Sequence, residues 1–306
     1  MVCRRNLDSA RSDDDENLFQ SVLTRGAAAA VPGRCGTESG GDVLTSEQRD
    51  GLAQRLWCAE RDRAPIAPLI DAHPELTAVD AYEIQLGNIR RRLSATEVVG
   101  HKVGLSSPVM QRMMGVDEPD YGHLLADMRL TEDRLVDAGR YCHPRVEVEV
   151  GFLLGADLPG ESCTEQDVLD RTEALVPALE HIDSRIADWR ISLPDTIADN
   201  ASSAGFVLGQ ERIRPDEVDP RAIDAVLCRD GEQIAAGSSD AVLGNPATAV
   251  AWLARKVASF GVRLWAGNVV LPGSCTRAVD VSAGQRFAAE FSADGRRLGE
   301  VSVSFV

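Results

Sequence analysis

Lysine is nearly absent from this chain of 306 residues: of its 32 basic residues only Lys102 and Lys256 are lysines, and the rest are arginines. A chain that uses arginine wherever a generic cation will do keeps lysine where its chemistry differs. Lysine can lose its proton in a tuned environment, and arginine effectively cannot. Positive charge is scarce overall, with 48 acidic residues outweighing the basic ones to a formal charge of −16. That excludes nucleic acid and an anionic membrane surface as partners, since both require a positive face. No window approaches 18 apolar residues, so no membrane span is expected. Arg4 and Arg5 are followed by Asp13-Asp14-Asp15-Glu16 instead of an apolar run, which is not a secretory signal. The seven cysteines (Cys3, Cys35, Cys58, Cys142, Cys163, Cys228, Cys275) include no CxxC pair and keep no regular spacing. Such an odd, dispersed set reads as reduced thiols in the cytoplasm, not as a disulfide framework or a zinc site. Nucleotide signatures are missing too: there is no GxxxxGK[ST] and no glycine triplet leading from a strand into a helix. Gly-x-Ser-x-Gly is absent, and no repeat recurs at a period of 20–50 residues.

What is present divides the chain into three. Residues 1–43 are rich in Ala, Gly, Ser, Asp and Arg without a sustained period, and read as a disordered extension. Residues 44–97 read as a small helical subdomain. Thr45 and Gln48 suit a capping box ahead of Leu52, Leu56 and Ala59, and Tyr82, Leu86, Ile89 and Leu93 form the stripe of a second helix. From residue 98 to 306 the texture changes to short Val-rich runs punctuated by Gly and Pro. Strands are predicted over 98–105, 145–154, 177–184, 204–209, 223–229, 268–272, 286–292 and 300–305. Helices are predicted over 164–175, capped by Thr164, and over 246–260, with Asn245 as cap and Pro246 in the first turn. Short strands with two inserted helices indicate an α+β domain built on a mixed β-sandwich or closed roll.

Candidate chemistry concentrates in a few segments. In Arg145-Val146-Glu147-Val148-Glu149-Val150 the alternation places both glutamates on one face of a strand. By pattern alone that face is the solvent side of a half-buried strand. The other reading is a cation site, because Gly151-Phe152-Leu153-Leu154 carries the strand into a core, and Glu180 stands in a second apolar run, Val176 to Ile182. Three acidic oxygen donors in apolar settings suit a hard cation such as Mg²⁺ or Mn²⁺. Lys102, flanked by glycines and valines in Gly100 to Leu105, is the better candidate for a reactive amine; Lys256 lies in a helical pattern and reads as a surface charge. Asp120 follows a proline in what reads as a turn, Asp117 to His123. Asp195 to Ser203 is a polar stretch between apolar runs whose hydroxyls and carboxylates suit local caps. None of His101, His123, His143 and His181 is taken as a metal ligand.

In chain order, GHKVGLSS (100–107), GVDEPDYGHLLADM (115–128), HPRVEVEV (143–150), PALEHIDSRIADW (177–189), DTIADNASSAG (195–205), LGNPATAVAWLARK (243–256) and VVLPGSCTRAV (269–279) resemble the 2-hydroxypenta-2,4-dienoate (2-keto-4-pentenoate) hydratases of the fumarylacetoacetate hydrolase superfamily. The resemblance runs from about Thr45 to Val306. It is nearest to actinobacterial hydratases of aromatic and sterol-ring meta-cleavage pathways. It implies a fumarylacetoacetate-hydrolase-like fold, with metal ligands on Glu147, Glu149 and Glu180 and catalytic groups on Lys102 and Asp120. Substrate contacts fall on Leu105, Ser202 and Asp199. The implied cofactor is Mg²⁺ or Mn²⁺. The implied reaction adds water to a small 2-hydroxydienoate, with the lysine pKa lowered beside the cation. A cytoplasmic homo-oligomer is expected, with association to a downstream aldolase or a sister decarboxylase as a further expectation. Rival activities are 4-oxalocrotonate decarboxylation, C–C bond hydrolysis of the acylpyruvase type, and a non-catalytic partner role. Decarboxylases tend to read KMGLTS where this chain reads KVGLSS. The hairpin at 293–299 reads as slightly longer than the family's tight turn.

Overall fold

The structure, a computed structural model, describes residues 44–306; the predicted extension at 1–43 lies outside the described residues. Its helices are α1 (Ser46–Asp62), α2 (Leu69–Ala72), α3 (Ala78–Arg92), α4 (Pro108–Met114), α5 (Glu165–Arg171), α6 (Leu193–Ala198) and α7 (Pro246–Ala258). Its strands are β1 (Val98–Gly104), β2 (Asp120–Leu125), β3 (Leu135–Val136), β4 (Arg145–Leu154), β5 (Thr172–Ile182), β6 (Ser203–Leu208), β7 (Asp224–Arg229), β8 (Glu232–Ser238), β9 (Val269–Leu271), β10 (Val279–Asp280), β11 (Arg286–Ala293) and β12 (Arg296–Phe305).

The helix starts follow the expected chemistry. Thr45 caps α1 in a reciprocal capping box with Gln48, and Leu52, Leu56 and Ala59 are its buried face. Asn245 caps α7 through the backbone N–H of Ala247, one residue beyond Pro246. Thr164 caps α5, but that helix ends at Arg171 rather than 175, because Thr172 to Leu175 already belong to β5. The apolar run Ala174-Leu175-Val176 suits a buried helix and a buried strand equally, and pairing with β4 decides for the strand. Asp120 likewise opens a strand and not a turn, since β2 runs antiparallel to β1 from Asp120 opposite Gly104. The 293–299 hairpin is tight after all: Ala293 pairs with Arg296 across Asp294-Gly295, both at positive φ.

Two sheets form the body. One has seven strands in the order β2-β1-β9-β4-β5-β6, with β10 added beside β4; the other runs β3-β12-β11-β7-β8. Register assigns faces, because directly paired residues point the same way. The outer face of the first sheet presents Val146, Val148, Phe152, Leu175 and Leu179. These join Phe287, Phe291, Val301, Val303 and Phe305 of the second sheet, together with Leu52 and Leu56 of α1, in one core. The inner face is apolar at one end, where Leu124, Val176, Phe206, Leu208, Val269 and Leu271 cluster. At its other end it carries the candidate site. No helix among the described residues is long and apolar enough to cross a membrane.

Candidate active site

Lys102 stands opposite Leu271, Leu153 opposite Val269, and Glu147 opposite Glu180. The period of two then puts Lys102, Glu147, Glu149 and Glu180 on the same inner face. One carboxylate oxygen from each of the three glutamates lies within 4.8 Å of the others. Glu149 and Glu180 are fully buried and Glu147 is half-buried at the rim. The pair is therefore not the solvent face that alternation alone allows. Glu149 Oε1 and Glu180 Oε1 have no protein partner, and Glu180 Oε2 faces only the Lys102 ammonium; Glu149 Oε2 accepts the Gly273 N–H at 2.7 Å. Three converging carboxylates, two of them buried, are a donor set suited to a hard divalent cation.

Burial raises the carboxyl of Glu180 to about 7, against the pull of Lys102. Burial first, then Glu180 and Glu147, drives Glu149 well above its ordinary value. Glu147 is raised by burial as well. A carboxylate must shed its proton to bind a cation, so Mg²⁺ affinity is expected to rise from about pH 6 to about pH 8, with proton release on binding. Titration calorimetry in buffers of different ionisation enthalpy checks this; an affinity independent of pH, with no proton release, would contradict it.

Lys102 Nζ lies 3.4 Å from Glu180 Oε2, with both side chains buried. Burial by itself lowers the ammonium, but Glu180, Glu147, Asp120 and Glu149 more than offset it, and the group stands above its ordinary value. The lowering expected beside a cation is thus not what the four carboxylates produce by themselves. Asp120 is buried with both carboxylate oxygens unpartnered, and burial raises its pKa despite Lys102. Asp120 and Lys102 share the space over Gly104: a Cβ there would meet Asp120 Oδ1 at 2.1 Å and lie 3.5 Å from Lys102 Nζ.

The remaining expected residues separate. Leu105 follows β1 half-buried and at φ 51°. Ser202 is buried with its hydroxyl unpartnered, in three successive left-handed residues, Asn200, Ala201 and Ser202 (φ 55°, 49°, 57°). Such backbone persists in non-glycine residues only where the surroundings over-determine it. Here the Asp183 N–H donates to Ser202 O, and the Asn200 side chain accepts from His123 N–H at 2.8 Å and donates to His123 O at 3.0 Å. Gly122 makes room for this, since a Cβ would lie 2.3 Å from Asn200 O. Asp199, expected to contact substrate, instead turns its carboxylate to the Arg185 guanidinium, the Arg185 N–H and the Ser184 hydroxyl. Its oxygens are already engaged, so it holds the turn from below. His101 and His123 point to the outer face, and burial keeps both imidazoles neutral, His123 at about 4. Lys256 pairs with Glu118 at 3.0 Å, away from the cage. Asn200 lies in the polar 195–203 stretch and Arg185 in the polar Asp183-Ser184-Arg185 that follows Glu180, but the sequence assigns neither a role, and it does not single out Gly273. Their partners are 14 to 124 residues distant, and no local pattern marks those contacts.

Residues 129–305 match the fumarylacetoacetate (FAA) hydrolase C-terminal family. The chain is 43% identical over 253 residues to a 2-keto-4-pentenoate hydratase of Paraburkholderia xenovorans (strain LB400), covering 82% of this chain and 94% of that protein. It is 42% identical over 237 residues to a 2-hydroxyhexa-2,4-dienoate hydratase of Comamonas testosteroni, covering 76% of this chain and 90% of that protein. Among solved structures it is similar to 4-oxalocrotonate decarboxylase from Pseudomonas putida G7, complexed with magnesium and adipate. The TM-score is 0.82 at 34% identity, over 86% of this chain and 99% of that one.

Proposed function

Since this chain belongs to the fumarylacetoacetate hydrolase family, we propose that it is a divalent-metal-dependent hydro-lyase that adds water to 2-hydroxypenta-2,4-dienoate or a close homologue. The product is 4-hydroxy-2-oxopentanoate or its homologue. The observation that carries this reading is the gathering of Lys102, Asp120 and three glutamates on one sheet face, all but Glu147 buried, in a chain 40–43% identical to hydratases over most of its length. Glu147, Glu149 and Glu180 are the ligands, and the ion is Mg²⁺ or Mn²⁺; the similar decarboxylase is complexed with magnesium. When bound, the cation supplies Lewis acidity toward the substrate's C1 carboxylate and C2 oxygen and so favours the dienolate.

The chain's own residues then handle protons. In the first step the C2 enol gives up its proton and C5 gains one, which leaves an α,β-unsaturated 2-oxo acid. In the second, water oxygen bonds to C4 while C3 takes a proton, so one water is consumed and no redox change occurs. Lys102, held protonated among carboxylates, delivers protons to carbon, and Asp120, with both oxygens free, takes the proton of the attacking water. Leu105 and Ser202 line the substrate's side of the site.

The same enolate-stabilising arrangement suits decarboxylation of 4-oxalocrotonate, the activity in the name of the similar solved structure. Pure protein with Mg²⁺ is expected to consume the dienol absorbance of 2-hydroxypentadienoate and yield the hydroxy-oxo acid. Release of CO₂ from 4-oxalocrotonate, with the dienoate left untouched, would transfer the assignment to the decarboxylase.

A further inference from the structure

We propose that the seam between β2 and β6 holds a built water site that feeds the active site through the side of the sheet; the inference rests on the hydratase reading. The seven-stranded sheet curls until its two edge strands approach each other without pairing. The Asn200 side chain on the backbone of His123 and the Leu130 N–H on Phe206 O are what join them. Beside that seam is a cavity of about 30 Å³ between α1, α3 and the 198–203 segment. Its outer rim is the Glu60–Arg92 ion pair, at 3.2 Å, with side chains 47% and 23% exposed. Its inner end is Asn200 and Ser203.

Three side chains lining this cavity each bring a buried polar atom that has no protein partner: Gln85 Oε1, Asn88 Oδ1 and Ser203 Oγ. The amide nitrogens of the first two are already committed, Gln85 to Tyr121 O and Ile197 O, and Asn88 to Ala53 O. Leaving a buried acceptor unsatisfied is costly. A polar cavity of this size accommodates about two waters, at roughly 10–15 Å³ each, and polar atoms without a protein partner are what such waters require. The ligand of this site is therefore water.

Ser203 connects it to the chemistry. It pairs with Ile182, on the inner row two residues along β5 from Glu180. The path thus runs from solvent at Glu60 and Arg92, past Asn88 and Gln85, to Ser203 at the edge of the carboxylate cage. Hydration consumes one water per turnover, and a side entrance lets that water arrive while the substrate stays in place.

Two measurements test this. A high-resolution crystal structure should show ordered water bonded to Gln85 Oε1, Asn88 Oδ1 and Ser203 Oγ; a dry cavity overturns the site. Asn88→Leu, which removes one acceptor and fills the cavity from α3, should split the two steps. Ketonisation of the dienol needs no water and should continue at the wild-type rate. Hydration should fall about tenfold, so that unsaturated 2-oxo acid is released alongside the hydrate. NMR of the product mixture reads this partition. An unchanged partition, or equal loss of both steps, overturns the supply role. If the wild-type protein hydrated no dienoate at all, the functional reading would fall, while the crystallographic test of the water site would stand by itself.

Discussion

Glu180→Gln is expected to lower metal-dependent turnover by about a thousandfold or more, equivalent to roughly 4 kcal/mol, while leaving the fold intact. The substitution keeps the shape of the side chain on β5 and removes one of the three cage charges. With three carboxylates a 2+ ion sits in a site of net charge −1; with two that charge is zero, and the attraction for the cation drops accordingly. Stability should move the other way. In the metal-free protein the carboxyls of Glu147, Glu149 and Glu180 all stand above their ordinary values, because burial and mutual repulsion disfavour three charges together. Neutralising one relieves that repulsion, so thermal unfolding of the metal-free variant should match or exceed wild type. Added Mg²⁺ should raise the melting temperature of the wild type and not of the variant. Near-full activity of the variant, or activity that survives chelation, would remove these residues from the metal site.

Lys102→Arg should lower kcat by about 10²–10⁴-fold, the usual worth of a positioned proton-transfer group, with Mg²⁺ affinity held within a few-fold. Arginine keeps the positive charge that faces the four carboxylates but does not give up its proton at any accessible pH. If Lys102 served only to balance charge, the variant would turn over at the wild-type rate, and that outcome would end its role in proton transfer. The geometry makes the substitution a demanding one, since Lys102 is buried between Gly100 and Gly104 on β1 with Nζ 3.4 Å from Glu180. Mg²⁺ affinity therefore has to be measured beside kcat. Loss of both together would mean that the larger side chain had displaced the cage.

Much of this was legible before folding. The alternation of Arg145 to Val150 is period-two information and specifies that Glu147 and Glu149 share a face, as β4 bears out. Which face is buried is a different kind of fact. It depends on β5 pairing Glu147 with Glu180, a contact between residues 33 apart, and on the apolar patch around Phe206 and Leu271 below them. Lysine scarcity pointed to Lys102 for a compositional reason, and the structure surrounds that residue with carboxylates. Pro119 and Gly122 dominate the local signal at Asp120 and suit a turn, and tertiary pairing with β1 overrides them. A substrate contact at Asp199 is what the family resemblance implies. Nothing local shows that Arg185, fourteen residues earlier, claims its carboxylate. The left-handed run at Asn200 to Ser202 carries no glycine, so the composition that usually announces positive φ was missing there.

The most direct test of the central claim uses a single sample. Protein stripped by chelation is given 2-hydroxypenta-2,4-dienoate in H₂¹⁸O, followed by NMR and mass spectrometry, and Mg²⁺ is then added. The expected result is no hydration before the metal and, after it, 4-hydroxy-2-oxopentanoate carrying ¹⁸O at C4. Hydration that proceeds under chelation, or a metal-dependent product without a hydroxyl at C4, would contradict the assignment of the Glu147, Glu149 and Glu180 cage as the metal centre of a hydratase.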